Sequence, residues 1–240
     1  MRGSEVIASD ETIARVNGKR YCQRTFSCAT AVYHVITPTR GECVPIDSLA
    51  GARPKVRLSD RLAAQCNHAE AHQFCLSHLI RDTQYAIDHG DTIFAPPFKV
   101  FLKDACAVGR KRPGLADSTI AAHRRRLHRE LDRLLKLKPT DVEGSHLRAA
   151  IDVTARDKQL VFLTRRDVEA TNNASERILR LSVMFRRVTN GFRSDWGAKL
   201  YADLCSVVAT GRLACRTALA TIRDALATCA SQPTAALDSR

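Results

Sequence analysis

Short runs of apolar and β-branched residues alternate with turn residues in the first quarter of the chain, a pattern typical of a β-meander. The runs are EVIAS, TIARV, KRYCQRTFS, AVYHVITP and PKVRLSD, of which the last ends at Asp60. Asn17-Gly18, between the second and third runs, is a signal for a two-residue hairpin turn. The segment GECVPIDSLAG, before the fifth run, predicts a short helix or a loop.

After Asp60 the apolar residues recur at helical spacing, which predicts one helix over residues 61–87. A second helix is predicted over residues 98–108, with two prolines at its start. A third begins at Asp117 or Ser118 as its cap and stops before Pro139. The apolar stripe of the third helix is made by leucines, and arginines cover the rest. These leucines are Leu127, Leu131, Leu134 and Leu135.

The remainder of the chain is predicted to be mostly helical. The stretch SHLRAAIDVTARDKQLVFLT begins as a helix, and a further helix begins at Asn172 and ends at the turn TNGFRSDWG. Two C-terminal helices follow. A meander followed by helices indicates an α+β or α/β fold with a large helical insertion, and excludes a coiled coil or a repeat array.

The charge of the chain narrows the class of partner. Lysine and arginine number 38 against 25 acids, a formal net charge of +13. Such an excess favours a polyanionic partner, with nucleic acid first and an anionic membrane surface second, although a merely soluble basic protein has the same composition. Aromatic residues make up 5% of the chain, which disfavours a single-strand binder that works by base stacking.

Cysteine usage and hydropathy indicate the compartment. Nine cysteines are scattered without a repeated short spacing, which does not indicate a disulfide framework. The start MRGSEVIASDE lacks a signal-peptide core, and no apolar run approaches the roughly 18 residues of a membrane span. We therefore expect reduced thiols, a cytoplasmic location and no membrane partner.

Three acids are candidates for one metal site. Asp10 is predicted on or just after the first strand, Asp60 at the end of a later strand, and Glu176 at the start of a helix. If the strands are neighbours, these carboxylates form a hard-oxygen site for two Mg²⁺ or Mn²⁺ ions, which catalyse in-line phosphoryl transfer. A basic surround suits a phosphodiester substrate. Spacing alone leaves capping of a turn as the ordinary alternative for each aspartate.

Four segments carry a resemblance to a known family: SDETIARVNGKRY, RLSDRLAAQ, CLSHLIRD and ATNNASERILR with its downstream FRRVTNGFRS. In this order they resemble the catalytic domain of bacterial insertion sequence 66 transposases, over about residues 6–226. The resemblance implies a DDE enzyme with a ribonuclease H-like α/β fold, in which a mixed sheet is flanked by helices. The family's two aspartates and its glutamate fall on Asp10, Asp60 and Glu176.

What the resemblance implies is metal-dependent cleavage of element ends and strand transfer into target DNA, with association of protomers during synapsis. The implied domain is residues 1–196, with the helical insertion at about 88–168. A C-terminal helical element at 197–230 and a flexible tail at 231–240 follow. Its DNA-binding candidates are Asn172, Asn173, Arg177, Arg180, Arg186, Arg187 and Arg193. Its asparagines orient the glutamate or touch DNA.

Three departures from the family pattern keep a truncated, inactive copy open as a hypothesis. Relatives have a long N-terminal recognition region before the first aspartate, whereas only nine residues precede Asp10 here. The second strand reads YCQRTFS where the family has tryptophans, and Leu62 stands where an aromatic is usual. The alternative function is therefore a catalytically inactive remnant that only binds DNA.

Two further readings compete with the DDE site. On a helix, His68, His72 and Cys75 would share a face, with Cys66 and His78 nearby, and zinc accepts such ligands. Structural zinc sites gather ligands from two elements, so packing is favoured here and zinc is not expected. The helix HRRRLHRELDRLLKLK would lie along a phosphate backbone in a non-enzymatic binder, or form a solvated face.

Overall fold

The computed structural model describes residues 1, 3–66 and 68–230, so the predicted tail at 231–240 lies outside the described residues. The strands are β1 Val6–Val16, β2 Lys19–Ser27, β3 Val32–Thr37, β4 Val56–Ser59 and β5 Ala71–Phe74. The helices are α1 Cys43–Leu49, α2 Leu76–Asp88, α3 Ala95–Lys111, α4 Asp117–Leu134, α5 Val142–Ala150, α6 Asn173–Thr189, α7 Asp195–Leu213 and α8 Ala218–Ala230. Short 3-10 and π-helical turns connect α5 to α6.

The five strands form one mixed sheet in the order β3-β2-β1-β4-β5. The turn between β1 and β2 has positive φ at Asn17 (50°) and Gly18 (75°), as a two-residue type I′ hairpin requires. β3 pairs antiparallel with β2, whereas β4 pairs parallel with both β1 and β5. This mixed sheet, flanked by helices, confirms the predicted α/β fold class.

The single helix predicted over residues 61–87 is wrong, because that stretch contains strand β5 before helix α2. β5 is four residues long and includes His72 and Gln73, whose burial depends on tertiary partners. His72 bonds to the Ser59 hydroxyl at 2.9 Å, and Gln73 donates to the Gln159 carbonyl at 3.0 Å. Helical spacing of apolar residues could not reveal a strand stabilised in this way.

The chain divides into two compact units that share strand β1. Among the described residues, one unit contains 10–40 and 175–230, and the other contains 3–9, 41–66 and 68–174. In the second unit a continuous core joins β4, β5, α2, α3, α4 and α5, and includes the predicted leucine stripe of α4. Asp117 is the first residue of α4 and not its cap, because Ala116 holds the extended cap position.

In the first unit, helices α6 and α7 cover strands β2 and β3. Ser182 of α6 accepts a hydrogen bond from Gln23 at 2.9 Å. The hydroxyls of Ser206 and Thr210 on α7 accept from the backbone N–H groups of β3 at 2.8 and 3.0 Å. The edge strand β3 therefore has hydrogen-bond partners for part of its open side.

The predicted TNGFRSDWG turn runs beside the end of β1 in the same unit. The backbone groups of Phe192 bond to Arg15 and Asn17 at 2.8 and 2.9 Å. Gly191 has a φ of +117°, and a Cβ there would lie 2.5 Å from the Arg15 carbonyl oxygen. Only glycine fits this position. None of the helices in the described ranges is long and apolar enough to cross a lipid bilayer.

Candidate active site

The first predicted carboxylate, Asp10, lies within β1 and not at its end, because β1 is longer than the sequence pattern indicated. Its side chain is 8% exposed, and its Oδ1 accepts the backbone N–H of Glu11 at 2.9 Å. The hydroxyl of Thr25 on β2 donates to the Asp10 carbonyl at 3.4 Å. Asp10 is therefore held at a fixed position beside Thr25.

The neighbouring residue, Glu11, has a structural role that could not be predicted from the sequence. Its carboxylate accepts from the buried Arg24 at 2.8 Å and also pairs with Arg40. Burial alone would raise the pKa of Glu11, but the two guanidinium groups outweigh burial and lower it. Because side chains alternate along a strand, this ion pair lies on the face of β1 opposite to Asp10.

Glu176 occupies the first turn of α6, as predicted, and is half-buried. The preceding Ser175 bonds to Ser27 on β2 at 3.1 Å, so the helix begins over this end of the strand. Thr25 and Ser27 share one face of β2, and residues beside each other on paired strands point the same way. The first unit thus carries Asp10 and Glu176 on one face of the sheet.

Asp60 lies in the second unit, directly after β4, and is half-buried. Its Oδ1 accepts the backbone N–H of Leu62 at 3.2 Å, which is the turn-capping arrangement that the sequence left open. The same oxygen accepts from the side-chain amide of Gln65 at 3.1 Å. Gln65 is completely buried, in a short 3-10 turn at Ala63–Gln65.

Gln65 connects Asp60 to Ser9, the residue before Asp10. Its Oε1 accepts from the Ser9 hydroxyl, to which the buried Arg57 also donates at 2.7 Å. Backbone register agrees with these contacts, since Ala8 of β1 pairs with Leu58 of β4. All of these groups belong to the second unit, and sequence spacing gave no signal for them.

A second contact to Ser9 comes from Asn172, which is 1% exposed. Its side-chain amide donates to the Ser9 carbonyl at 2.8 Å, and its backbone N–H donates to the Cys75 sulfur at 3.1 Å. Asn172 is therefore engaged inside the protein and does not face solvent. Asn173 is exposed and accepts a long hydrogen bond, 3.5 Å, from Ser77.

The predicted DNA-binding arginines differ in their exposure and in their contacts with the rest of the protein. Arg186 bonds to the Ile13 carbonyl and, at 3.4 Å, to the Thr12 hydroxyl, so it contacts β1. The others are exposed: Arg177, Arg180, Arg187 and Arg193. On a helix of 3.6 residues per turn, Glu176, Arg180 and Arg187 share one face.

The zinc hypothesis assumed a helical face that does not exist. His72 lies on β5 and Cys75 lies at the start of α2, so the three ligands do not follow one helix. Burial lowers the pKa of His72 to about 3, with further lowering by the charges of Arg57 and Lys158. His72 is thus a neutral core residue, bonded to Ser59.

The fold and these acids define an α/β protein with one carboxylate on β1, one after the neighbouring β4 and one on a later helix. The family model described as "Transposase IS66 family" matches residues 1–200. The chain therefore belongs to the IS66 family of DDE transposases.

The solved structures that match part of this chain include the following two. Both are of the HTLV-2 integrase catalytic core domain in complex with magnesium, one in a dimeric and one in a trimeric form. Each matches 35% of this chain with 14% identity and a TM-score of 0.25, and the match covers 74% and 73% of the two integrase chains. No curated protein matches the chain.

Proposed function

We propose that this protein cleaves DNA strands and transfers them during transposition of an insertion sequence, with Asp10, Asp60 and Glu176 as the carboxylates that hold Mg²⁺ or Mn²⁺. The observation that carries the proposal is the hydrogen-bonded chain from Asp60 through Gln65 to Ser9, because Ser9 is covalently joined to Asp10. Asn172 supports the same assignment from its bond to the Ser9 carbonyl, four residues before Glu176. The proposed catalytic domain spans residues 1–196.

The donor set suits the proposed metal. Carboxylate oxygens are the ligands that Mg²⁺ and Mn²⁺ prefer. The Oδ1 atom of Asn172 is a buried acceptor without a hydrogen-bond donor among the described residues. Such an atom in a native structure calls for an explanation, and an active-site water would satisfy it.

Asp10, Asp60 and Glu176 would hold the divalent cations, which when bound would supply activation of the attacking oxygen and stabilisation of the leaving oxygen for an in-line displacement at phosphorus. The protein's own part is to position the carboxylates. Gln65 and the Leu62 N–H hold one oxygen of Asp60, while β1 and the Glu11 N–H hold Asp10. Asn172 holds the end of the segment that leads into α6 against β1. A water and then a freed 3′ hydroxyl would be the two nucleophiles.

Exposed cations beside Glu176 would bind the phosphate backbone. Arg180 and Arg187 fit best, because they lie on the helix face of Glu176. Arg177, Arg193 and Asn173 are exposed and remain candidates for DNA contacts. Arg186 and Asn172 instead bond to backbone carbonyls of β1, so their proposed role is to position α6 and the segment before it. A protein that binds and cleaves DNA in this way would associate with the bacterial nucleoid.

The first test is Mn²⁺ binding by isothermal titration calorimetry. Because removal of an outer-sphere partner already costs 10–100-fold in affinity, we expect Asp60→Asn and Glu176→Gln each to weaken binding by more than about 100-fold. If both acids serve one site, the double variant should lose less binding free energy than the sum of the two single losses. The control is Glu70→Gln, which removes an exposed carboxylate elsewhere in the second unit.

Nicking of supercoiled plasmid in Mn²⁺ then tests the chemistry, with EDTA and the two acid variants as negative controls. Loss of nicking in both variants, with Glu70→Gln active, supports the proposal. Equal metal binding by wild type and both variants contradicts the site. Metal-independent DNA binding without any nicking would favour the alternative, a remnant that only binds DNA.

A further inference from the structure

Helix α4 divides its surface into two faces. Its apolar side chains Ile120, Leu127, Leu131 and Leu134 are buried in the core of the second unit. Five arginines occupy the remaining surface: Arg124, Arg125, Arg126, Arg129 and Arg133. The structure separates these arginines into two groups.

Two of the arginines have acidic partners. Arg126 pairs with Asp104 on α3 at 2.6 Å, and Arg133 pairs with Glu130 on α4 at 2.7 Å. The other three, Arg124, Arg125 and Arg129, are exposed and form no ion pair within the part of the chain that the structure describes. The nearby Asp132 pairs with Arg156 instead. The second group is therefore an uncompensated cluster of positive charge.

These three arginines and His128 line one surface depression with Ala121, which we call the α4 basic patch. Arg124 lies four residues before His128, and Arg125 four residues before Arg129, so each pair lies side by side on the helix. Burial lowers the pKa of His128, with a further contribution from Arg124, so the arginines supply the charge of the patch. Arg125 and Arg129 repel each other at this spacing unless an anion lies between them.

We infer that the α4 basic patch, which shares no residue with the proposed carboxylate site, is a contact surface for the phosphate backbone of duplex DNA. Arg124 and Arg129 are five residues apart, about 7.5 Å along the helix axis. Two nucleotide steps of one DNA strand advance about 6.8 Å, so the patch spans two or three phosphates. Phosphate contacts of this kind carry no sequence information.

An anionic membrane is a poorer match for the patch. Helices that bind at a membrane surface insert large apolar side chains beside their basic face. The large apolar side chains of α4 are instead buried in the core. A phosphate polymer needs only the exposed guanidinium groups, which donate to phosphate oxygens in a bidentate way.

The test compares two double variants on the same helix with the same change in net charge. Arg124→Gln/Arg129→Gln removes unpaired arginines, whereas Arg126→Gln/Arg133→Gln removes paired ones. Binding to a 30-base-pair duplex would be measured by fluorescence anisotropy in EDTA, between about 50 and 200 mM NaCl. The measured quantity is the slope of the logarithm of the binding constant against the logarithm of the salt concentration. We expect Arg124→Gln/Arg129→Gln to reduce the magnitude of this slope by about 2, and Arg126→Gln/Arg133→Gln to leave it nearly unchanged.

Arg124→Lys/Arg129→Lys should restore the slope, because a phosphate contact needs the positive charge. An equal decrease in both glutamine variants would show an effect of net charge alone and overturn the inference, as would no decrease in either. Circular dichroism checks that each variant is folded. Because the assay excludes metal, its result does not depend on the proposed catalysis.

Discussion

Asp60 and Asp91 follow the same local pattern in the same unit but differ in their burial and in their hydrogen-bond donors. Each precedes a turn and accepts the backbone N–H two residues later, from Leu62 at 3.2 Å and from Ile93 at 3.2 Å. Asp91 is completely buried, and Asp60 is half-buried. The remaining donors also differ, since those of Asp91 are mostly backbone groups, whereas Asp60 also accepts from the Gln65 side chain.

The Asp91 carboxylate connects two helices. It accepts the N–H groups of Phe94 and Ala95 at the start of α3, at 3.3 and 2.8 Å. It also accepts the Thr140 N–H at 3.0 Å, close to the start of α5. A carboxylate at a helix N-terminus is further stabilised by the helix dipole. Asp91 therefore stabilises the folded structure by joining these two helices. The partial exposure of Asp60 is compatible with its proposed role as a metal ligand.

The largest expected effect on stability comes from Asp91→Ala. This variant leaves several buried N–H groups without an acceptor, so the free energy of unfolding should fall by more than about 3 kcal/mol. Urea denaturation followed by circular dichroism measures the change. Asp91→Asn keeps one carbonyl acceptor and should lose less. A change below about 1 kcal/mol for Asp91→Ala would show that Asp91 is not structural.

Gly144→Ala tests how closely α5 approaches the same carboxylate. A Cβ at Gly144 would lie 2.5 Å from Asp91 Oδ2, so we expect a loss of about 2 kcal/mol from overpacking. Gly114→Ala is the matched control, because nothing lies within 4 Å of its added carbon. In the Asp91→Ala background the Gly144 substitution should cost less, since the two closest atoms, Oδ2 and Cγ, are gone and only the Cβ of residue 91, at 2.8 Å, remains. Additive losses would contradict this contact.

The comparison also predicts a pH dependence. Burial alone would raise the pKa of Asp91, but its backbone hydrogen bonds outweigh burial and lower it from 3.8. A lowered folded-state pKa stabilises the protein above the unfolded-state value of about 3.9, and this contribution is lost as the pH falls through the folded-state pKa. The stability difference between wild type and Asp91→Asn should therefore shrink below about pH 4. A constant difference from neutral to acid pH would contradict the assignment.

Much of the second unit could be predicted from its sequence, because local signals agree there with packing. The leucine stripe and Pro139 predicted α4 nearly to its ends. The strand β5 could not be predicted, since its burial of His72 and Gln73 depends on hydrogen bonds to distant residues. Composition cannot show such partners.

The candidate site also contains residues that could be predicted from the sequence and residues that could not. Its three acids came from strand ends, a helix start and family resemblance, and the structure places Glu176 on the first turn of α6. The residues that hold the acids, Ser9 and Gln65, could not be predicted, because they are 56 positions apart and neither belongs to a motif. Sequence spacing indicates which side chains have the right chemistry, while positioning depends on contacts that only the fold brings about.

A smaller loss of stability is expected for Gln65→Ala. The substitution removes bonds to Asp60 and Ser9, and should cost about 1–2 kcal/mol. Because Gln65 orients a proposed ligand, Mn²⁺ affinity should also fall by about 10–100-fold. Gln84→Ala is the control that should leave metal binding unchanged, because the half-buried Gln84 of α2 bonds to Asp88 and Lys99 and not to the proposed ligands. If the variant lost stability but kept its affinity for Mn²⁺, the role of Gln65 would be structural only.

The smallest change in stability is expected for Asp60→Asn, although its functional effect is the largest. Asparagine retains a carbonyl oxygen that can accept from Leu62 and Gln65, so the free energy of unfolding should change by less than about 1 kcal/mol. Metal affinity should nevertheless be lost, because the anionic ligand is gone. Urea denaturation and Mn²⁺ calorimetry on the same preparation separate the two effects. If Asp60→Asn were as destabilising as Asp91→Asn and still bound Mn²⁺, Asp60 would be a second structural cap, and the two aspartates would not differ in function.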